Sequence, residues 1–393
     1  MIVIGLSLGF GSGCIEPVEK PLSQAAQSES SSSLLEEVGP SVVLPALNSF
    51  HSNIEVFRDG LNDITSVIEN NGNIEESLEA SRNNWLLVYK SWQELEVMQI
   101  GSAGSSLSTV GGEDKRDEIY SWPTVSGCLI DQMTVTDDWK TDSYFDNNLV
   151  NAYGLDAIEH LLFSELETEC PSQVPPISDG SWYALEQEEN GILKQRIEFA
   201  KALSEHVEQT TEYLIQQWSP DGENFSAQLT VEGASPFADK DEALYAVFLS
   251  LFYVELLTKD RKLAQPLGLR DCPNETCVED IESLQSGLSL HAIQSNLVGF
   301  KNLFTGGTST GMDDLLIELG HADLSEQIIL DVDAVITLLD AHVGKPLDGM
   351  ITDDKETVIE IYDHIGLVTT ALKQDLTTVL EVSVPSEAAG DND

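Results

Sequence analysis

The chain has 393 residues, with 68 acidic side chains against 19 basic ones and a formal charge of −49. So few cations cannot build a phosphate-binding face, which excludes a nucleic-acid partner. A hydrophobic content of 41% over this length is enough to core two domains, and the bulk acidity reads as a solvation feature that also gathers cations at the surface.

Residues 1–13 are small and apolar and run straight into Cys14. That is the outline of a bacterial lipoprotein signal, with Cys14 as the lipidated residue after cleavage. No basic residue precedes the apolar run, and Gly11 stands where Leu is usual. Thirteen residues make a helix about 20 Å long, short of the about 30 Å core of a bilayer. Residues 14–40, with Ser28 and Ser30 to Ser33, read as a flexible tether. The expected address is the cell envelope, periplasm or outer membrane, with membrane attachment through the N-terminal lipid only.

Beyond the tether the apolar spacing is helical. Ile54, Phe57, Leu61, Ile64 and Ile68 step by three and four, as do Trp85, Val88, Trp92 and Leu95. Leu244 to Leu257 reads as one nearly continuous apolar helix, and Leu316, Leu319, Ile328, Val332 and Ile336 continue the pattern. Long alternating runs are absent, so the fold class is all-α. Gly- and Pro-rich breaks, above all Ser219 to Pro236, divide the chain into two packed helical bundles, 41–220 and 236–384, each with enough helices for a four-helix arrangement, followed by a disordered tail at 385–393.

With Cys14 set aside, four cysteines allow three pairings. The turn-forming loop Cys272-Pro-Asn-Glu-Thr-Cys277 favours a local bridge, which leaves Cys128 with Cys170. No C-x-x-C pair accompanies them, so zinc is the weaker reading.

Three constellations could carry chemistry. In Tyr153 to Phe163, helical spacing puts Asp156, Glu159 and His160 within an arc of about 100°, an oxygen and nitrogen donor set suited to a transition metal such as iron. The ordinary alternative is a solvated acidic face. Arg116 to Pro123 places a scarce cation beside Trp122, to neutralise a buried carboxylate or to cap a helix. Trp85, Trp92 and Glu96 share one helix face, where paired tryptophans are more often core than cofactor box.

Gly154-Leu155-Asp156-Ala157-Ile158-Glu159 resembles the G-x-H-x-x-E signature of the imelysin-like proteins, with Asp in place of His. Trp85, Trp92, Glu96 and Gly101, then Arg116 to Trp122-Pro123, follow the same family's order, although Tyr89 replaces its usual Arg. Lys262 to Gly268 and Glu282-Ser283 with Ser286, Ser289 and Asn296 are similar to its later segments, so the resemblance spans about 41–384.

The resemblance implies two packed bundles with a site between them, in a bacterial envelope protein linked to iron uptake. It makes Asp156, Glu159 and His160 the metal candidates and Glu96, Arg116, Trp122 and Ser283 the surrounding binding residues. Asp for His hardens the donor set, favouring Fe(III), Mn or Ca over Zn. The expected partners are a metal ion or iron complex and other envelope proteins of iron uptake.

The family was once classed with metallopeptidases, but no H-E-x-x-H occurs here, and the seven histidines are scattered singly and read mostly as solvated helix residues. Ser283 and Ser286 lack a nucleophile elbow. Three readings stand: iron capture at the interdomain cleft, a structural lipoprotein that has lost the metal site, and a metallopeptidase.

Overall fold

The stripe Ile54, Phe57, Leu61, Ile64 and Ile68 lies fully inside the protein on a helix that runs from Leu44 to Glu69 (α1). Asn73 stops the following turn by accepting from the Glu76 amide and starts α2, Ile74–Leu95, which returns antiparallel and buries Trp85, Val88 and Trp92 against α1. The computed structural model describes residues 23–385 and 388, apart from 71, 142 and 231–235. The signal segment, Cys14 and nearly all of the 385–393 tail lie outside the described residues. Among the described residues there is no strand, and no helix is long and apolar enough to cross a membrane.

The first half is completed by α3 (Leu155–Phe163) and by α4 (Gly191–Trp218), which packs along α1 and α3. The second half contains α5 (Lys240–Leu251), a π-helical stretch Val254–Ala264, α6 (Ser289–Phe304), α7 (Ala322–Asp340) and α8 (Lys355–Thr370). The run read as one helix from Leu244 to Leu257 is therefore two elements, with the change at Phe252 and Tyr253. An unbroken apolar run carries no phase from which that switch could be read.

The halves meet where α6 lies against α2, and one contiguous hydrophobic core runs through both. Gly299 makes the approach close. A Cβ there would fall inside contact distance of the Glu94 carbonyl, so only glycine admits the α2 backbone.

The expected flexible tether is corrected over its described part. Gln24–Gln27 and Glu29–Glu37 are helical, and π-helical Val38–Val43 leads into α1. Ser28 is an N-cap, its hydroxyl accepting from the Ser31 amide at 3.0 Å, while Leu34, Leu35 and Val38 are buried. Ser23 is fixed by Asp241, and Lys240 donates to the Ser32 hydroxyl at 2.7 Å, so this segment straps the second half. Both expected disulfides, Cys128–Cys170 and Cys272–Cys277, are formed.

Candidate binding cleft between the halves

Gly154 opens α3 with φ +101°, and a Cβ there would press within 2.9 Å of the Ile119 carbonyl. Glycine thus lets α3 start directly against the Tyr120–Pro123 loop. The helix is buried on every side from Leu155 to Leu162, so its three polar residues must find partners inside the protein. They find different ones.

Asp156, 5% exposed, accepts from the Ser121 hydroxyl at 3.1 Å and from the Ala157 amide at 3.1 Å. Burial pushes its carboxyl up to about 7. Glu159, equally buried, reaches across to the second half and accepts from the Ser286 amide at 3.1 Å. Burial, reinforced by nearby Glu282, raises its carboxyl above the usual range, although the Ser286 and Ser283 donors oppose the shift.

His160 turns the other way. Its Nε2 lies 3.0 Å from Asp131 Oδ1 and its Nδ1 3.0 Å from the Ser164 hydroxyl, while Arg196 meets the same Asp131 oxygen at 3.3 Å. The expected Asp156, Glu159 and His160 ligand set is therefore not assembled. Among the described residues, only His51, Glu208 and Glu212 bring three His, Cys, Asp or Glu ligand atoms within 4.8 Å of one another. The reason is geometric: an arc of about 100° on a helix buried all round is wide enough to face two neighbours. The row Ser164–His160–Asp131 sits at the carbonyl end of α3, with a Glu169 oxygen 3.5 Å from Nδ1. A serine oxyanion there would face helix carbonyls and a carboxylate, the reverse of an oxyanion hole.

The structure does bring Glu96, Arg116 and Ser283 into one polar seam between the halves. Arg116 donates to Glu96 Oε1 through Nη2 at 2.6 Å and Nε at 3.1 Å, and Lys262 of the second half approaches Glu96 Oε2 at 3.4 Å. Burial alone would raise the Glu96 carboxyl, but Lys262 and Arg116 outweigh it and hold the group below its usual range. Lys262 also donates to Gln93 at 2.6 Å and Asn296 at 2.8 Å, and lies 3.0 Å from Glu282 Oε1.

Glu282 accepts from Tyr120 at 2.8 Å and from Gln93 at 3.1 Å on that same oxygen. Its other oxygen, Oε2, is buried without a hydrogen-bond partner. Burial raises this carboxyl; Lys262 works against the rise and Glu96 adds to it. Ser283, at φ +52°, donates to the Tyr89 phenol at 2.6 Å. Burial, followed by Glu282, pushes the Tyr89 and Tyr120 phenols well up. Trp122 is buried beside Ser121 in the loop that α3 starts against.

Formal charge in the seam is thus uneven: Asp156, Glu159, Glu282 and Glu96 against Arg116 and Lys262. Only Glu96 has its charge well matched. Sequence reasoning passed over Gln93 and Tyr120. Gln93 was readable as polar in register with Tyr89 and Glu96 on the tryptophan face of α2, a face otherwise destined for the core.

The Imelysin family model matches residues 62–374 of the chain. An imelysin-like protein from Psychrobacter arcticum 273-4 superposes with a TM-score of 0.68 at 18% identity, covering 93% of this chain and 99% of that one. A putative iron-regulated protein A precursor from Parabacteroides distasonis ATCC 8503 gives 0.65 at 17% identity, covering 92% and 97%. At these identities the likeness is one of fold. No curated protein matches.

Proposed function

We propose that this chain, which belongs to the imelysin family, is an envelope-anchored binding protein that takes iron or an iron complex into the cleft between its halves as cargo for uptake. The observation that carries the reading is the surplus of buried carboxylates. Among the described residues, Asp156 and Glu159 have hydroxyl and amide donors but no ion pair, and Glu282, paired with Lys262 through Oε1, keeps Oε2 without a hydrogen-bond partner. A cation fits that deficit. Glu159, Glu282 and Asp156 do not converge within 4.8 Å of one another in this structure, so to hold it they would have to draw together around the ion; an all-oxygen set of that kind favours Fe(III), Mn or Ca over Zn.

Raised carboxyls bind protons where the cation would sit, so uptake releases protons and affinity falls as pH drops. The surrounding acidity concentrates cations at the surface. Anchoring through Cys14 follows from the signal-like N-terminus, and delivery to other envelope iron-uptake proteins follows from the cargo reading. His160 takes no part, being committed to Asp131.

Calorimetric titration of the protein with chelated Fe(III), Mn(II) and Zn(II) tests this against Glu159→Gln and Glu282→Gln. With Fe(III), a saturable event with proton release, weakened about tenfold or more in either variant, is expected. Equal binding by wild type and both variants, or none by wild type, would leave the reading of a structural lipoprotein without a metal site.

A further inference from the structure

A second place for a cation lies between α1 and α4 of the first half. His51 and Glu55 stand one turn apart on α1, and Glu208 and Glu212 one turn apart on the packed face of α4. His51 Nε2 lies 3.6 Å from Glu212 Oε1, and its Nδ1 3.6 Å from Glu55 Oε2. One ligand atom each from His51, Glu208 and Glu212 falls within 4.8 Å of the others. We propose that these three residues bind a divalent transition-metal ion that clamps α1 to α4.

Two features point to a ligand, beyond the clustering of acids. First, His51 Nε2 is sealed from solvent and has no hydrogen-bond partner, since 3.6 Å is too long for one. Such an atom costs free energy unless something fills the gap between it and the carboxylates. Second, Glu55 faces the opposite ring nitrogen. A carboxylate there favours the tautomer with its proton on Nδ1, which leaves the Nε2 lone pair aimed at Glu208 and Glu212. At 3.6 Å this contact too is longer than a hydrogen bond and acts through charge, but it stands where a metal-bound imidazole usually has its outer carboxylate.

Glu208 is 8% exposed and already held by an ion pair with Arg58, so its position is fixed before any metal arrives. Glu212 is exposed and gives access from solvent. One imidazole and two carboxylates suit Zn(II), Fe(II) or Mn(II), and three protein ligands leave positions for water. The donor set differs from the all-oxygen seam, so the two sites are separable by metal preference. His51 looks isolated in the sequence because its partners come from a distant helix.

The test is Zn(II) calorimetry on the full chain carrying Glu159→Gln, in excess Mg(II) to occupy the diffuse acidic surface. One saturable Zn(II) equivalent is expected; His51→Ala abolishes it, and Glu212→Gln weakens it about tenfold or more. Cu(II) bound to the parent shows imidazole nitrogen hyperfine splitting, which His51→Ala removes. An unchanged isotherm in His51→Ala, or no saturable binding by the parent, overturns the proposal. Glu212→Gln lies on the surface and keeps the test independent of any folding defect at His51.

Discussion

Replacing Asp156 by Asn removes a proton-binding group while keeping the shape and the Oδ1 acceptor for the Ala157 amide; the amide NH2 takes the place of Oδ2, where the Ser121 hydroxyl turns from donor to acceptor. The native carboxyl stands at about 7 against an ordinary 3.8. The folded protein therefore holds a proton that the unfolded chain releases. The stability that this group contributes is complete below the unfolded value and is lost as pH rises toward 7. Three units at about 1.4 kcal/mol each put the total near 4 kcal/mol, about 2.5 kcal/mol of it between pH 5 and pH 8.

Urea unfolding of wild type and Asp156→Asn across that range measures the difference directly, because the other titrating groups are common to both. The variant should gain on wild type by about 2.5 kcal/mol from pH 5 to pH 8, with the gap flattening above about 7.5. Saturating cation in the cleft should abolish the slope in wild type by replacing the proton. Parallel stability curves for the two proteins would refute the claim that Asp156 is buried without a compensating charge.

Lys262→Met strips the ammonium from Glu282 and leaves the Gln93 and Asn296 oxygens with one donor each, from Asn296 and Thr258, so it should cost about 3–5 kcal/mol in urea unfolding; a loss under about 1 kcal/mol would mean the seam is wet. Removing the Cys128–Cys170 bridge by double Ala substitution should cost about 4 kcal/mol, against about 2 kcal/mol for Cys272–Cys277, because the first closes a much longer loop. Thermal unfolding of the two double variants gives the order, and a reversed order would contradict the loop-entropy account.

The amphipathic helices were legible because burial imposes a period. Ile54 to Ile68 and Trp85 to Leu95 each show one face to one core, and the structure buries those faces. The cysteine pairing was legible from loop chemistry. Residues 24–37 were not, because a serine that caps a helix and a serine in a linker are the same letter; only the buried Leu34 and Leu35 distinguish them. The Asp156, Glu159 and His160 arc failed for a related reason. Periodicity fixes direction around a helix axis but not the number of neighbours that share the arc. The seam itself was visible only as separate motifs, since Lys262 meets Glu96 across 166 residues of chain.

What joins those motifs is an exchange of partners between the halves. Glu159 of the first half is held by the Ser286 amide of the second, while Glu282 of the second is held by Tyr120 and Gln93 of the first. Tyr89 and Gln93 lie on one face of α2 and Glu96 directly follows its last residue, so this helix and its cap present a phenol, an amide and a carboxylate to the seam. Glu96 is matched by Arg116, while Lys262 is shared between Glu96 at 3.4 Å and Glu282 at 3.0 Å. Glu159 and Glu282 are the acceptors left in excess, and each is anchored by the opposite half. Neutralising either one, by a proton or by a cation, therefore changes the free energy of the contact between the halves. On the proposed cargo reading, the same two carboxylates would therefore couple cation binding to the contact between the halves.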